Sequence, residues 1–86
     1  MAGTAYSDER RIIARIIRET RERAGLHQSL LAERIGKTQS YVSKIEGSHQ
    51  GVDVLILLDV AQALEVDPVN LFSQISAEVL RSRNSN

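Results

Sequence analysis

Residues 28–46 read QSLLAERIGKTQSYVSKIE, and the prediction of the fold starts from this segment. Its apolar residues recur at helical spacing on both sides of Gly36, a position where glycine permits a sharp turn. We therefore predict two short helices, 28–35 and 39–46, with Thr38 capping the second. Each has only about two turns, too few to persist alone in water, so packing against neighbouring helices must hold both in place.

The same stretch separates the side chains that face inward from those that face outward. The apolar faces that hold the two helices against each other are formed by Leu31, Ile35, Val42 and Ile45. Ala32 is small where the helices cross. Polar side chains remain on the outer face of the second helix: Gln39, Ser40, Ser43 and Lys44. Because these groups form hydrogen bonds, they suit the base edges exposed in a DNA major groove.

Three further helices are predicted around this pair. The first begins at Ser7, which caps it ahead of two acidic residues, and it continues through about residue 24. Asp53 caps a helix over residues 54–64. Pro68 opens the last helix, because its missing N–H costs nothing at the first helical position.

The length and composition match one folded domain. The chain has 86 residues, of which 42% are hydrophobic and 26% are charged. We expect an all-α, compact five-helix bundle over residues 7–80, with a helical extension towards its C-terminal end. A flexible arm is expected at residues 1–6 and a frayed tail at residues 81–86. No effector domain is expected, so regulation would come from protein concentration, dimerisation or a separate partner.

Composition also disfavours several classes of function. The absence of cysteine removes disulfides and thiol chemistry and fits a reducing cytoplasm. The longest apolar run, residues 54–58, is too short to cross a bilayer, so no membrane partner is expected. His27 and His49 lack acidic neighbours at ligand spacing, so neither a metal nor another cofactor is expected. Without a paired nucleophile and base or a glycine-rich phosphate loop, an enzyme is the weakest hypothesis.

The formal net charge is zero, which by itself does not favour a nucleic-acid partner. The charge is unevenly distributed, however. Residues 1–46 carry nine Lys or Arg against six Asp or Glu, whereas residues 47–86 carry two against five. We therefore expect a polyanion to bind to the N-terminal half of the chain.

The pattern as a whole resembles the lambda-repressor-like, Cro-type helix-turn-helix proteins, also called the xenobiotic-response-element family. The resemblance covers residues 17–72. The matching positions are Ile17-Arg18-Glu19, Arg21, Gly25-Leu26, Gln28, Leu31-Ala32-Glu33, Ile35-Gly36, residues 39–46, Ala61, Leu64 and Val66. The resemblance implies a five-helix domain in which Gln39, Ser40 and Lys44 read bases.

The resemblance also implies roles outside the reading helix. Gln28, at the start of the first short helix, is implied to bind a DNA phosphate, and Arg21 to form an ion pair with Glu46. The pair agrees with electrostatics, because an unpaired carboxylate is disfavoured at the C-terminal end of a helix. Ser43 is a further candidate for base contacts. The remaining candidates for phosphate contacts are Lys37, Thr38, Tyr41 and His49.

Two departures from the family pattern bear on affinity and partners. The loop at residues 47–51 reads GSHQG where the family usually has Arg or Lys, so backbone contacts there are in doubt. Leu30, Leu55 and Ile56 are apolar at positions that are usually polar, and unpaired apolar surface suggests a partner. A longer apolar stripe is partly core, and we expect the remainder to form a two-fold interface: Leu55, Ile56, Val69, Phe72, Ile75 and Val79.

Two hypotheses of function remain open at this stage. The first is a cytoplasmic, nucleoid-associated regulator of bacterial or phage origin, a dimeric repressor whose reading helices enter successive major grooves about 34 to 36 Å apart on a near-palindromic operator. The second is an antitoxin or adaptor whose exposed apolar residues bind a partner protein. The arginines of the first helix are most simply interpreted as a solvated face with pairs such as Glu19 and Arg23.

Overall fold

The computed structural model describes residues 7–85, which contain five helices and no strand. The helices are α1 (Ser7–Arg23), α2 (Gln28–Arg34), α3 (Gln39–Glu46), α4 (Val54–Ala63) and α5 (Pro68–Asn84). This arrangement confirms the predicted all-α, five-helix architecture. Helix α1 begins at Ser7, and Ile35 and Leu64 are the C-cap residues that follow α2 and α4. The arm predicted at residues 1–6 lies outside the described residues.

Two clusters of buried apolar side chains hold the helices together. The larger joins α1, α2, α3 and α4, and its buried members are Ile17, Leu31, Ala32, Ile35, Val42, Ile45, Val60 and Leu64. The smaller joins α1, α4 and α5 through Ile16, Ala61, Leu71 and Ile75. Ile13 and Val66 pack against both clusters, so the two form one continuous core. Burial of these faces stabilises α2 and α3, which are too short to persist alone.

The turn between α2 and α3 has the geometry that its sequence predicts. Gly36 adopts a left-handed conformation with φ of +69°, which glycine accepts without steric cost. The backbone N–H of Lys37 then donates to the carbonyl of Ala32 at 2.9 Å, which satisfies a carbonyl at the end of α2. Thr38 caps α3, because its Oγ1 accepts from the N–H of Tyr41 at 3.1 Å.

Helix α5 continues past the point where the sequence predicted a frayed tail. It ends at Asn84, and its last turns are fixed to the first turn of α1 by an ion pair. Arg83 donates two hydrogen bonds to Glu9, Nε to Oε2 at 2.6 Å and Nη2 to Oε1 at 2.9 Å. This hydrogen bonding holds the pKa of Glu9 below its ordinary value. The tail prediction therefore missed a contact between the two ends of the chain.

None of the helices within residues 7–85 combines the length and the hydropathy that a bilayer span requires.

Candidate nucleic-acid interface

Helix α3 separates its side chains into a buried and an exposed face. Val42 and Ile45 are buried in the larger core cluster, as the sequence predicted. The four predicted base-reading side chains are exposed together on the opposite face: Gln39, Ser40, Ser43 and Lys44. None of the four makes a side-chain hydrogen bond or ion pair within the described part of the chain. Their donors and acceptors are therefore available to a ligand in the free protein.

The last residue of α3 is held by an ion pair with α1. Arg21 donates from Nε to Oε2 of Glu46 at 2.6 Å and from Nη2 to Oε1 at 2.9 Å, a two-pronged geometry that fixes both side chains. The Arg21 Nη1 also donates to the carbonyl of Leu26 at 2.7 Å. The two side chains are only 11% and 3% exposed. The hydrogen bond to Glu46 raises the pKa of Arg21, although burial opposes that shift.

Gln28 is placed differently from the sequence prediction of a simple phosphate ligand. It is half-buried at the first position of α2, and its Nε2 donates to Oε1 of Glu46 at 3.0 Å. The Glu46 carboxylate thus accepts from α1 and from α2 at once. One N–H of the Gln28 amide remains for a further acceptor. Sequence reasoning missed this second role, because only the fold brings the two side chains together.

Three predicted phosphate ligands surround the N-terminal end of α3. The Lys37 Nζ lies 5.2 Å from the centroid of the Tyr41 ring, within the range of a cation–π contact. Tyr41 is half-buried and packs against the larger core cluster. Thr38 uses its hydroxyl oxygen as the cap, so the hydroxyl proton is free to be donated elsewhere. These residues therefore form one polar edge beside Gln39.

His49 lies at the other end of α3 and is exposed. Its backbone N–H donates to the carbonyl of Lys44 at 2.8 Å, which folds the loop back onto the end of the helix. Ser48 before it has a φ of +63°. In residues 7–85, no three His, Cys, Asp or Glu side chains converge in a way that would hold a metal ion.

The residues predicted to form a two-fold interface fall into two groups. Leu55, Val69 and Phe72 are exposed, whereas Ile56 and Val79 are half-buried against the core. Ile75 is only 6% exposed and belongs to the core of this chain, where it also lines an apolar groove, so it offers little surface for contact with a second copy. The packing of α5 on α1 and α4 sets its rotation about its own axis and so decides which of its apolar residues are buried. The apolar stripe in the sequence does not by itself reveal that rotation.

An apolar groove of about 440 Å³ lies between α4 and α5. Its rim includes Val54, Leu58, Val69 and Phe72, which are 71%, 43%, 72% and 57% exposed. Val54 and Leu58 line this groove, whereas Leu55 and Ile56 do not. The sequence alone indicates that Val54 and Leu58 share one face of α4, because residues 54 and 58 are about one helical turn apart.

Comparisons with known proteins agree with this architecture. A family model described as helix-turn-helix matches residues 17–71. The propionyl-CoA carboxylase regulator of Cereibacter sphaeroides is 36% identical over 55 residues, which are 64% of this chain but only 12% of that protein. The chain therefore spans a small part of the length of that relative.

Solved structures match most of the chain. An XRE-family like protein from Pseudomonas syringae pv. tomato is 32% identical with a TM-score of 0.76, covering 85% of this chain and 89% of that one. A mutant of the restriction-modification controller protein C.Esp1396I is 26% identical with a TM-score of 0.78, covering 86% and 99%. The same controller as a tetramer in complex with its natural 35 base-pair operator is 25% identical with a TM-score of 0.74, covering 84% and 95%.

The buried ion pair gives a stability prediction. Arg21→Ala should lower the free energy of unfolding by about 3 to 5 kcal/mol, because it leaves the Glu46 carboxylate buried without its main partner. Arg21→Met combined with Glu46→Leu should recover most of that loss, since no unpaired charge remains. Urea denaturation measures both, with Arg23→Ala as an exposed control on the same helix. A double variant as unstable as the single one would show that the unpaired charge is not the cause.

Proposed function

Because the chain belongs to the lambda-repressor-like helix-turn-helix family, we propose that it is a DNA-binding transcriptional regulator that reads duplex DNA with α3. The observation that carries this proposal is the exposed face of α3. Four polar side chains without internal partners stand on a helix whose other face is buried and whose last residue is fixed to α1 and α2. Such a rigid polar helix fits the width of a major groove.

The proposed contacts are of two kinds: contacts to bases, which give sequence specificity, and contacts to phosphates, which position the protein on the duplex. Gln39 presents an amide that can bond two sites of one adenine, and Lys44 can donate to guanine. Ser40 and Ser43 donate or accept next to them. The proposed phosphate ligands surround this helix and carry no sequence information: Gln28, Lys37, Thr38, Tyr41 and His49. This division explains why the exposed face of α3 is polar but not densely charged.

We also propose that two copies bind together on a near-palindromic operator. The groove between α4 and α5 exposes large apolar side chains, and contiguous apolar surface of this kind is stabilised when a partner covers it. The controller protein C.Esp1396I, similar in fold, occurs as a tetramer on its operator. A homodimer through Val54, Leu58, Val69 and Phe72 would cover the groove and double the number of DNA contacts. Bound at a promoter, it would repress by occlusion.

The alternative function is an antitoxin or adaptor that uses the same apolar groove for a different protein. The observations in its favour are the zero net charge and the further exposed apolar residues Leu30 and Leu55. We propose that the chain is not an enzyme and acts in the bacterial cytoplasm, at the nucleoid, since its proposed ligand is genomic DNA. Oligomeric state and DNA binding separate the two functions.

Base reading is tested by comparing Gln39→Ala with Gln28→Ala. Gln39→Ala should weaken binding to a specific duplex by about tenfold and leave binding to a scrambled duplex unchanged, because only base contacts carry sequence information. Gln28→Ala should weaken both duplexes by a similar factor. Fluorescence anisotropy gives the two affinities, with the exposed Gln74→Ala on α5 as the matched control. Equal losses on both duplexes for Gln39→Ala would refute its assignment to base reading.

The two-fold interface is tested by placing a charge in the groove. Phe72→Asp should convert the dimer to a monomer and reduce operator affinity, because an unpaired carboxylate cannot be buried between two apolar surfaces. Leu80→Asp is the matched control, since Leu80 is exposed on α5 but does not line the groove. Sedimentation equilibrium measures the mass. A wild-type monomer that ignores duplex DNA at low salt would instead favour the antitoxin or adaptor.

A further inference from the structure

Arginines of α1 lie beside the loop that follows the reading helix, and this loop, residues 47–51, contains neither Lys nor Arg. We propose that Arg10 and Arg18 bind DNA phosphates at this loop and supply the positive charge that the loop itself lacks. The inference rests on the proposed DNA-binding function and adds a phosphate site to it. It also replaces the simpler interpretation of the α1 arginines as a solvated face.

Arg10 lies directly against the loop backbone. A Cβ placed on Gly51 would be 3.3 Å from the Arg10 Nη2 and 3.7 Å from both its Cζ and its Nε. The Arg10 guanidinium group therefore occupies the space that a side chain at position 51 would need. Because Gly51 has no side chain, the positive charge of α1 reaches the surface of the loop.

Arg18 reaches the same loop at its other end. It lines a cleft of about 220 Å³ together with Gly47 and Ser48, the first two residues after α3. Glu46 also lines the cleft, but its side chain is only 3% exposed and the charge of its carboxylate is balanced by the ion pair with Arg21. The cleft therefore does not hold an uncompensated negative charge that would repel a phosphate.

Ion pairing distinguishes these two arginines from their neighbours on α1. Arg11 pairs with Asp8 at 3.3 Å, and Arg15 pairs with Glu19 at 3.4 Å and with Glu78 at 3.2 Å. Arg10 and Arg18 are exposed and have no acidic partner within residues 7–85. Four arginines lie against the loop or line the cleft beside it, Arg10, Arg11, Arg15 and Arg18. Only Arg10 and Arg18 among them have no acidic partner within residues 7–85.

The position relative to α3 indicates what the free charges bind. The eight residues of α3 span about 12 Å, close to the width of a major groove. An element at the end of a helix lying in that groove is therefore next to a phosphate strand. A guanidinium group matches phosphate geometry, because two parallel N–H groups can bond two phosphate oxygens. Arg10 and Arg18 have both the guanidinium group and the position beside the loop at the C-terminal end of α3. Lys37 and Thr38 lie at the N-terminal end of the same helix.

The test measures how the affinity for duplex DNA depends on salt concentration. Arg10→Ala and Arg18→Ala should each lower the slope of log affinity against log salt by about 1, and each should weaken specific and scrambled duplexes by the same factor. The double variant should lower the slope by about 2. Arg10→Lys should keep the wild-type slope, because it retains the charge. Arg23→Ala is the matched control, since Arg23 is exposed on the same helix but lines a cleft with α5.

Three outcomes decide the matter. Lower slopes for the two variants, with circular dichroism and control affinity unchanged, support the proposal. Wild-type slopes for Arg10→Ala and Arg18→Ala in a protein that binds DNA overturn the proposal and leave the proposed function intact. A wild-type protein that binds no duplex at low salt overturns the proposed function and this inference with it.

Discussion

The carboxylate of Glu46 accepts hydrogen bonds from Arg21 on α1 and from Gln28 on α2, although it is itself the last residue of α3. One buried group thereby fixes three helices relative to one another. Burying a charge is costly unless it is paired, so alternative orientations of α3 that break this contact are disfavoured. The apolar core holds α3 in place, and the ion pair specifies how it is oriented. The direction in which Gln39 and Ser40 project depends on an interaction that need not touch DNA.

Charge placement explains how a protein of zero net charge suits an anionic ligand. Many acidic side chains are paired inside the molecule, as Glu9 is with Arg83 and Glu46 with Arg21. Lys37 and Lys44 have no acidic partner in the described residues, and they lie beside and on α3. The electrostatic field that an anionic ligand meets is therefore set by the unpaired charged groups and not by the net charge of the whole chain. Because such cations are few, the proposed dimerisation would supply much of the affinity for DNA.

The sequence predicted best those features that depend on neighbours along the chain. The turn at Gly36, the Thr38 cap and the inward positions of Val42 and Ile45 all follow from local geometry and helical spacing. Contacts between distant residues were missed unless a family resemblance implied them, as it did for Arg21 and Glu46. Neither the pair of Glu9 with Arg83 nor the depth of Ile75 leaves a periodic signal, because both depend on how α5 lies across α1. The contact of Gln28 with Glu46 also leaves no periodic signal, because it depends on how α2 packs against α3.

We propose that α3, fixed by Glu46, reads specific sequence on duplex DNA in a two-fold arrangement. Selection of bound duplexes from a random pool tests it most directly. We expect enrichment of a near-palindrome whose half-sites are about 10 base pairs, or one helical turn, apart. Enrichment of no sequence above the random pool, by a folded protein at low salt, would contradict it.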